Sequence, residues 1–338
     1  MSEKNLRIHL RARPVGNPTE TDFECREAPI PQAGEGQFLI QNLYISLDAG
    51  FRQWMNEGSG DEYMPAMEIG APVTGLILGK VIESKNPEYT TGELVMGRTA
   101  WESYSLADGT DYITKLEADP QVPLSAYMGL LGATGLTAYF GLTDIGRPQP
   151  GETVLISTAA GAVGNVACQM AKILGCRVVG TTSSDEKCKW LVEELGIDAA
   201  INYQAPGGIA AGLDKHCPDG VDVYFDNVAG DTLDQTLARL AQGARVVLSG
   251  ALSAYDQVEP PPGPRNMFKV ITARALLQGF MVTDQVERYP EGIGQLGAWL
   301  KEGKIKNVEQ MIDGVDKTGD AFCQMFRGGN RGKLVIKA

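Results

Sequence analysis

The hydrophobic positions in the middle of the chain come in short, unbroken runs. They are Thr153-Val154-Leu155-Ile156-Ser157, Arg177-Val178-Val179-Gly180-Thr181, Ala199-Ala200-Ile201-Asn202-Tyr203, Val221-Asp222-Val223-Tyr224-Phe225, Arg245-Val246-Val247-Leu248-Ser249 and Ala275-Leu276-Leu277-Gln278-Gly279-Phe280. Runs of this length without alternation read as strands buried on both faces. Between them lie stretches of helical period, including 165–174, 185–195 and 232–240. Strands alternating with helices predict an α/β fold, a doubly wound parallel sheet over residues 126–300.

Residues 1–125 follow a different rule. Short β-like runs such as Gln37-Phe38-Leu39-Ile40, Gly75-Leu76-Ile77-Leu78-Gly79 and Leu94-Val95-Met96-Gly97 are separated by Gly and Pro. This spacing predicts a small barrel or sandwich. Residues 301–338, with apolar runs at 308–312 and 333–336 and a short helix near 319–326, read as a return to that first domain. Pro260-Pro261-Pro262-Gly263-Pro264 predicts a stiff surface loop.

Composition narrows the class. The 338 residues are 43% hydrophobic and 21% charged, enough for about two globular domains. A net charge of −12 repels phosphate backbones, so nucleic acid is not the expected partner. No apolar run approaches the ~20 residues of a membrane span, and the first residues lack the apolar core of a secretory signal. A cytoplasmic location is therefore expected. The six cysteines are scattered and predict inert thiols. The only histidines, His9 and His216, have no Cys or carboxylate at ligand spacing, so a catalytic zinc site is not expected.

The chemistry lies after the first run of the sheet. Ala159-Ala160-Gly161-Ala162-Val163-Gly164 follows a strand and opens a helix, a variant of G-x-G-x-x-G with Ala in first place. In that context small residues let backbone approach a pyrophosphate, and the helix N-terminus meets its charge. The second strand then ends in Gly180-Thr181-Thr182-Ser183-Ser184 instead of the acid that usually holds the ribose 2′-hydroxyl of NAD. Lys187 follows. Hydroxyls and a cation suit a 2′-phosphate, which points to NADPH. Asp185 competes with that reading unless it serves the start of the next helix, and Lys187 read alone could be an ordinary exposed lysine.

Several fragments in shared order then resemble a known family: Asn42-Leu43-Tyr44-Ile45-Ser46-Leu47-Asp48, Gly135-Leu136-Thr137-Ala138-Tyr139-Phe140-Gly141-Leu142, the glycine turn, Asp226-Asn227-Val228-Ala229-Gly230, Ser249-Gly250-Ala251-Leu252-Ser253-Ala254-Tyr255 and Gly329-Asn330-Arg331-Gly332-Lys333. Nearly the whole chain resembles the zinc-free branch of the medium-chain dehydrogenases/reductases that includes leukotriene B4 dehydrogenase/prostaglandin reductase and curcumin-reductase-like enzymes. The resemblance implies a Rossmann domain, a GroES-like barrel domain, a site between them, and a homodimer. It implies that Gly161, Ala162, Val163 and Gly164 hold the pyrophosphate and that Lys187 and Tyr203 hold the 2′-phosphate, beside the Ser183 hydroxyl already read from the end of the second strand. Asn227, Ser249, Gly250, Ala251, Leu252, Ser253, Tyr255, Phe280, Met281, Val282 and Asn330 would line the rest of the cofactor. Two departures, Ala49-Gly50-Phe51-Arg52-Gln53-Trp54-Met55 and Gly132-Ala133-Thr134-Gly135, fall near the implied substrate region.

The implied activity is NADPH-dependent reduction of a C=C bond conjugated to a carbonyl, in enals, enones or curcumin-like compounds. Charge developing on the carbonyl oxygen needs a donor. Tyr255, beyond the fifth strand, is the candidate, with an aromatic wall as its plainer role. Tyr44 and Arg52 are candidate substrate contacts; packing competes for the first and a solvated surface charge for the second. Met64, Met67 and Trp54 could provide apolar cover. Quinone reduction or alcohol oxidation with the same cofactor, and a protein that binds NADPH without catalysis, are the rival readings.

Overall fold

The computed structural model describes residues 4–59, 65–257 and 262–338. Met64, Pro260 and Pro261 lie outside them. The described residues form two compact units, one within Met1–Met128, Gln310–Gly329 and Leu334–Ala338, the other within Gly129–Glu309 and Asn330–Lys333.

The first unit is rich in antiparallel sheet. Phe38–Leu47 pairs with Thr74–Ser84, which pairs with Leu94–Ala100, and Leu334 to Lys337 run antiparallel along Tyr44 to Leu47. Alternating inward residues such as Phe38, Ile40, Ile45, Ile77 and Val95 are fully buried. Trp101 is fully buried beside them, its ring 5.2 Å from Phe322 and 5.8 Å from Phe23. Tyr44 is half-buried within this sheet, and Met67 is core.

Arg52 corrects an expectation. It is 1% exposed, not a solvated surface charge. Its Nε donates to the Gly16 carbonyl (3.0 Å), one Nη to the Pro14 carbonyl (2.8 Å), and the other Nη to Asn56 Oδ1 (2.6 Å). A planar guanidinium can serve several acceptors at once, and the 14–16 turn supplies backbone carbonyls that need donors. The short helix Phe51–Trp54 thereby ties itself to that turn.

The second unit is a six-stranded sheet: β1 (Thr153–Ile156), β2 (Arg177–Thr182), β3 (Ala199–Asn202), β4 (Val221–Asp226), β5 (Leu240–Leu248) and β6 (Leu276–Gly279). All registers are parallel and the order is 3-2-1-4-5-6. Val154, Leu155, Ile156, Val178, Val179, Val246 and Val247 are fully buried, as unbroken apolar runs require when helices cover both faces. The helices used below are α1 (Ala162–Ile173), α2 (Asp185–Glu193), α3 (Gly230–Leu237) and α4 (Met267–Ala273). The helical period at 232–240 overran its element. Leu240 stands three residues after Leu237, which imitates a helix face, yet it pairs with Val221 and starts β5.

That strand order reverses direction between β1 and β4. Carboxyl ends of strands at such a reversal diverge and leave room for a ligand.

Candidate functional site

The glycine turn joins β1 to α1. Thr158 takes the left-handed conformation (φ +50°), so the following Ala159 can stand where a glycine is usual. Its N–H donates to the Thr181 carbonyl, fastening the turn to β2 (2.9 Å). Gly164 is obligatory for a different reason: a Cβ there would sit 2.2 Å from the Thr158 carbonyl oxygen. Gly161 precedes α1 with no side-chain cap. Gly161, Ala162 and Val163 are partly exposed, and the first N–H groups of α1 have no carbonyl partner within the helix. A dinucleotide's pyrophosphate suits that cradle.

The mouth of β2 is cationic. Ser184 caps α2, its side chain accepting from the Lys187 N–H (3.2 Å). Asp185 is turned toward β3: its Oδ1 accepts from Asn202 Nδ2 at 2.8 Å, and it stands in the first turn of α2, where an acid is favourable. The Lys187 ammonium has no ion pair or hydrogen bond among the described residues. Burial and then the neighbouring Arg331 guanidinium push its pKa down. Tyr203 follows β3 directly and is 44% exposed. Its N–H donates to the Thr182 carbonyl. Ser183, which follows Thr182 in sequence, is half-buried.

The ends of β4 and β5 are knitted together. Asp226 is fully buried; its Oδ1 accepts from Tyr224 Oη (2.7 Å) and from the Val228 and Ala229 N–H groups (2.9 and 3.0 Å). Burial pushes this carboxyl upward. Asn227 Nδ2 donates to the Ser157 carbonyl (2.7 Å), while its Oδ1 accepts from Ser249 Oγ (2.8 Å). The N–H groups of Leu252 and Ser253 donate to the Asn227 and Val228 carbonyls. The Gly250 and Ala251 backbone is thereby held in place. Tyr255 closes this loop: its hydroxyl oxygen accepts from the Ala251 N–H (3.3 Å), which leaves its own proton available to donate. Phe280, Met281 and Val282 continue from the end of β6, and the Phe280 ring lies 3.1 Å from where a Cβ on Gly141 would be.

The last predicted residue arrives from far along the chain. Asn330 Nδ2 donates to the Gly332 carbonyl (3.1 Å), and the Gly332 N–H donates to the Ala160 carbonyl (2.8 Å). Asn330 is thus fixed at the glycine turn. Tyr44 and Arg52 belong to the first unit and are held there by the contacts above. Two residues escaped the sequence reading. Glu186 and Arg331, 145 positions apart, form an ion pair above α2, and the Arg331 guanidinium lies 5.9 Å from the Trp190 ring. The available signal was an arginine inside a glycine-rich turn whose neighbours already matched the family.

The thiols offer no nucleophile here. Burial pushes Cys176 and Cys217 up to about 11 and Cys323 up to about 12, and raises Cys168 further still. Among the described residues no group of three or more His, Cys, Asp or Glu could hold a metal ion.

Comparison with known proteins decides the family. Residues 6–115 match the family described as the N-terminal domain of oxidoreductase, and 162–298 match the one described as zinc-binding dehydrogenase. The chain is 38% identical to NADPH-dependent curcumin reductase of Escherichia coli, covering 99% of this chain and 97% of that one. It is 37% identical to 2-alkenal reductase (NADP(+)-dependent) of Nicotiana tabacum, over 98% and 97%.

The chain belongs to the zinc-independent medium-chain dehydrogenases/reductases.

Among members of this family, prostaglandin reductase 1 of Rattus norvegicus is 38% identical, over 96% of each chain. The crystal structure of CurA in complex with NADPH from Vibrio vulnificus superposes with a TM-score of 0.90 at 35% identity, covering 98% of this chain and 99% of that one. The fold thus recurs in a relative whose crystal structure is a complex with NADPH.

Proposed function

We propose that this chain is an NADPH-dependent reductase of C=C bonds conjugated to a carbonyl, acting on small enals, enones or curcumin-like compounds. The observation that carries the cofactor choice is the mouth of β2: an ammonium with no ion pair or hydrogen bond among the described residues, and an aspartate oriented by Asn202. The relatives named for curcumin and 2-alkenal reduction, matched over nearly the whole chain, carry the reaction class.

When bound, NADPH supplies the hydride. The glycine turn and the start of α1 would hold its pyrophosphate, and Lys187, Ser183 and Tyr203 its 2′-phosphate. Asn227, Ser249, Gly250, Ala251, Leu252, Ser253, Phe280, Met281, Val282 and Asn330 would line the remainder. Hydride arriving at the β-carbon of an enone puts charge on the carbonyl oxygen, which a neutral phenol can stabilise by donation. Tyr255 is suited to that role, since its oxygen is steadied by the Ala251 N–H while its proton is free. Tyr44 remains a substrate contact in this reading. Arg52 would act on substrate only by holding the 14–16 turn.

A homodimer through the outer edge of the sheet is part of the proposal. β6 is the terminal strand, and next to it α4 exposes Phe268 (73%) and Ile271 (70%). Unpaired strand edges beside apolar side chains favour a second copy. A cytoplasmic setting suits six free thiols, and among the described residues no helix is long and apolar enough to cross a membrane.

The test is a panel of enals, enones, quinones and alcohols with NADPH and with NADH, scored by product mass. The expected product is the saturated carbonyl, formed with NADPH. Allylic alcohol, hydroquinone, or cofactor binding without turnover would overturn the assignment.

A further inference from the structure

Arg331 occupies a position that its neighbours define closely. The next residue, Gly332, is left-handed (φ +64°), donates to the Ala160 carbonyl and bridges Gly161 in parallel register. A Cβ on Gly332 would fall 2.1 Å from the Val308 carbonyl, so this backbone has no alternative course. The segment is therefore clamped to the pyrophosphate turn. From that anchor the Arg331 side chain reaches α2, where its guanidinium pairs with Glu186 and lies over Trp190.

The charges around it are unbalanced. Lys187 and Arg331 repel one another, and Lys187 pairs with no anion among the described residues. Glu186 is the single carboxylate engaged with either cation, and its side chain is 81% exposed. An exposed ion pair of this kind is weak. A phosphate dianion offers a guanidinium two charge-assisted hydrogen bonds and is the stronger partner.

We propose that Arg331 is a second cation for the adenosine 2′-phosphate: on cofactor binding it leaves Glu186 and grips the phosphate together with Lys187. Glu186 is the resident counter-charge that holds Arg331 over α2 beforehand. A cofactor with a 2′-hydroxyl gives the guanidinium no reason to leave it. Selectivity against NADH thus comes from the pair of residues, in addition to Lys187 alone. This inference rests on the NADPH reading above and adds a residue to it.

Binding to the full chain tests it, by titration calorimetry with NADPH, NADH and adenosine 2′,5′-bisphosphate. Arg331→Met is expected to weaken NADPH and the bisphosphate by roughly 10- to 100-fold, the usual range for losing a charged hydrogen bond, with NADH within about twofold. Glu186→Gln is expected to tighten NADPH, and this gain should vanish in the Arg331→Met background. An Arg331→Met protein that melts lower but keeps its preference for NADPH would overturn the proposal, making the arginine a clamp on α2 only. So would an unchanged NADPH affinity in Glu186→Gln. If Lys187→Met also leaves NADPH binding intact, the 2′-phosphate reading itself falls; if Lys187→Met alone weakens it, only Arg331 is rejected.

Discussion

Asn202 Nδ2 donates to Asp185 Oδ1 across 2.8 Å, joining the end of β3 to the first turn of α2. In an NAD-binding sheet an acid in this neighbourhood would hold the ribose 2′-hydroxyl. Here Asn202 orients the carboxylate toward β3, at the helix start where negative charge is favourable. Replacing Asn202 by Ala frees Asp185. NADPH affinity is expected to fall about two- to fivefold, as for adding ~0.5–1 kcal/mol of charge repulsion, while NADH affinity holds or rises. Equal losses for the two cofactors, read by fluorescence titration, would show that the bond serves only the fold.

Lys187 gives a prediction in pH. Burial and Arg331 lower its pKa in the folded, cofactor-free protein. The folded state therefore holds this proton less tightly than the unfolded chain does. Its stabilising effect is present above the ordinary lysine pKa and is lost as pH falls through the lowered value, so at neutral pH the charge destabilises. Lys187→Met should accordingly melt higher than the parent at pH 7 without cofactor, and the gap should close in the alkaline range. The same variant should bind NADPH at least tenfold more weakly. In the parent, NADPH affinity should decline on the alkaline side below the ordinary lysine value, and again below about pH 6 as the phosphate takes up a proton. Calorimetric melts and titrations across pH check both limbs.

Tyr255→Phe removes the hydroxyl and keeps the ring. If the phenol donates to the developing charge, turnover should fall about 10²-fold, the lower range for a positioned acid, with NADPH affinity unchanged. The bond from Ala251 is long at 3.3 Å, so its loss should hardly move the melting temperature. Full turnover in steady-state assays would leave the tyrosine as a wall of the site.

The inner parallel strands were legible because burial on both faces leaves an unbroken apolar run, and the glycine turn because Gly164 has no room for a side chain; the outer strand β6 showed its apolar run without that burial, Leu276 being 40% exposed. The helix that ends at Leu237 was overrun because Leu240 keeps helical spacing while pairing with Val221. Arg52 was misread for a related reason. A lone arginine in a polar stretch looks solvated until the Pro14 and Gly16 carbonyls, 38 and 36 positions earlier, fold onto it. Arg331 and Glu186 are a pair only in three dimensions, and no periodicity links residues so far apart.

Association has its own test. Phe268→Glu with Ile271→Glu places two charges on α4 beside the β6 edge. Light scattering should report a monomer in place of a dimer, with the far-ultraviolet spectrum unchanged. A dimer that survives both substitutions would move the interface elsewhere.

Residues Asn330 to Lys333 are made after the whole parallel sheet, yet they pack with it and brace its first loop. During synthesis the six strands are complete before Asn330 and Arg331, the residues proposed here to serve the cofactor, have been added. The brace on that first loop is thus added only after every strand of the sheet has been made.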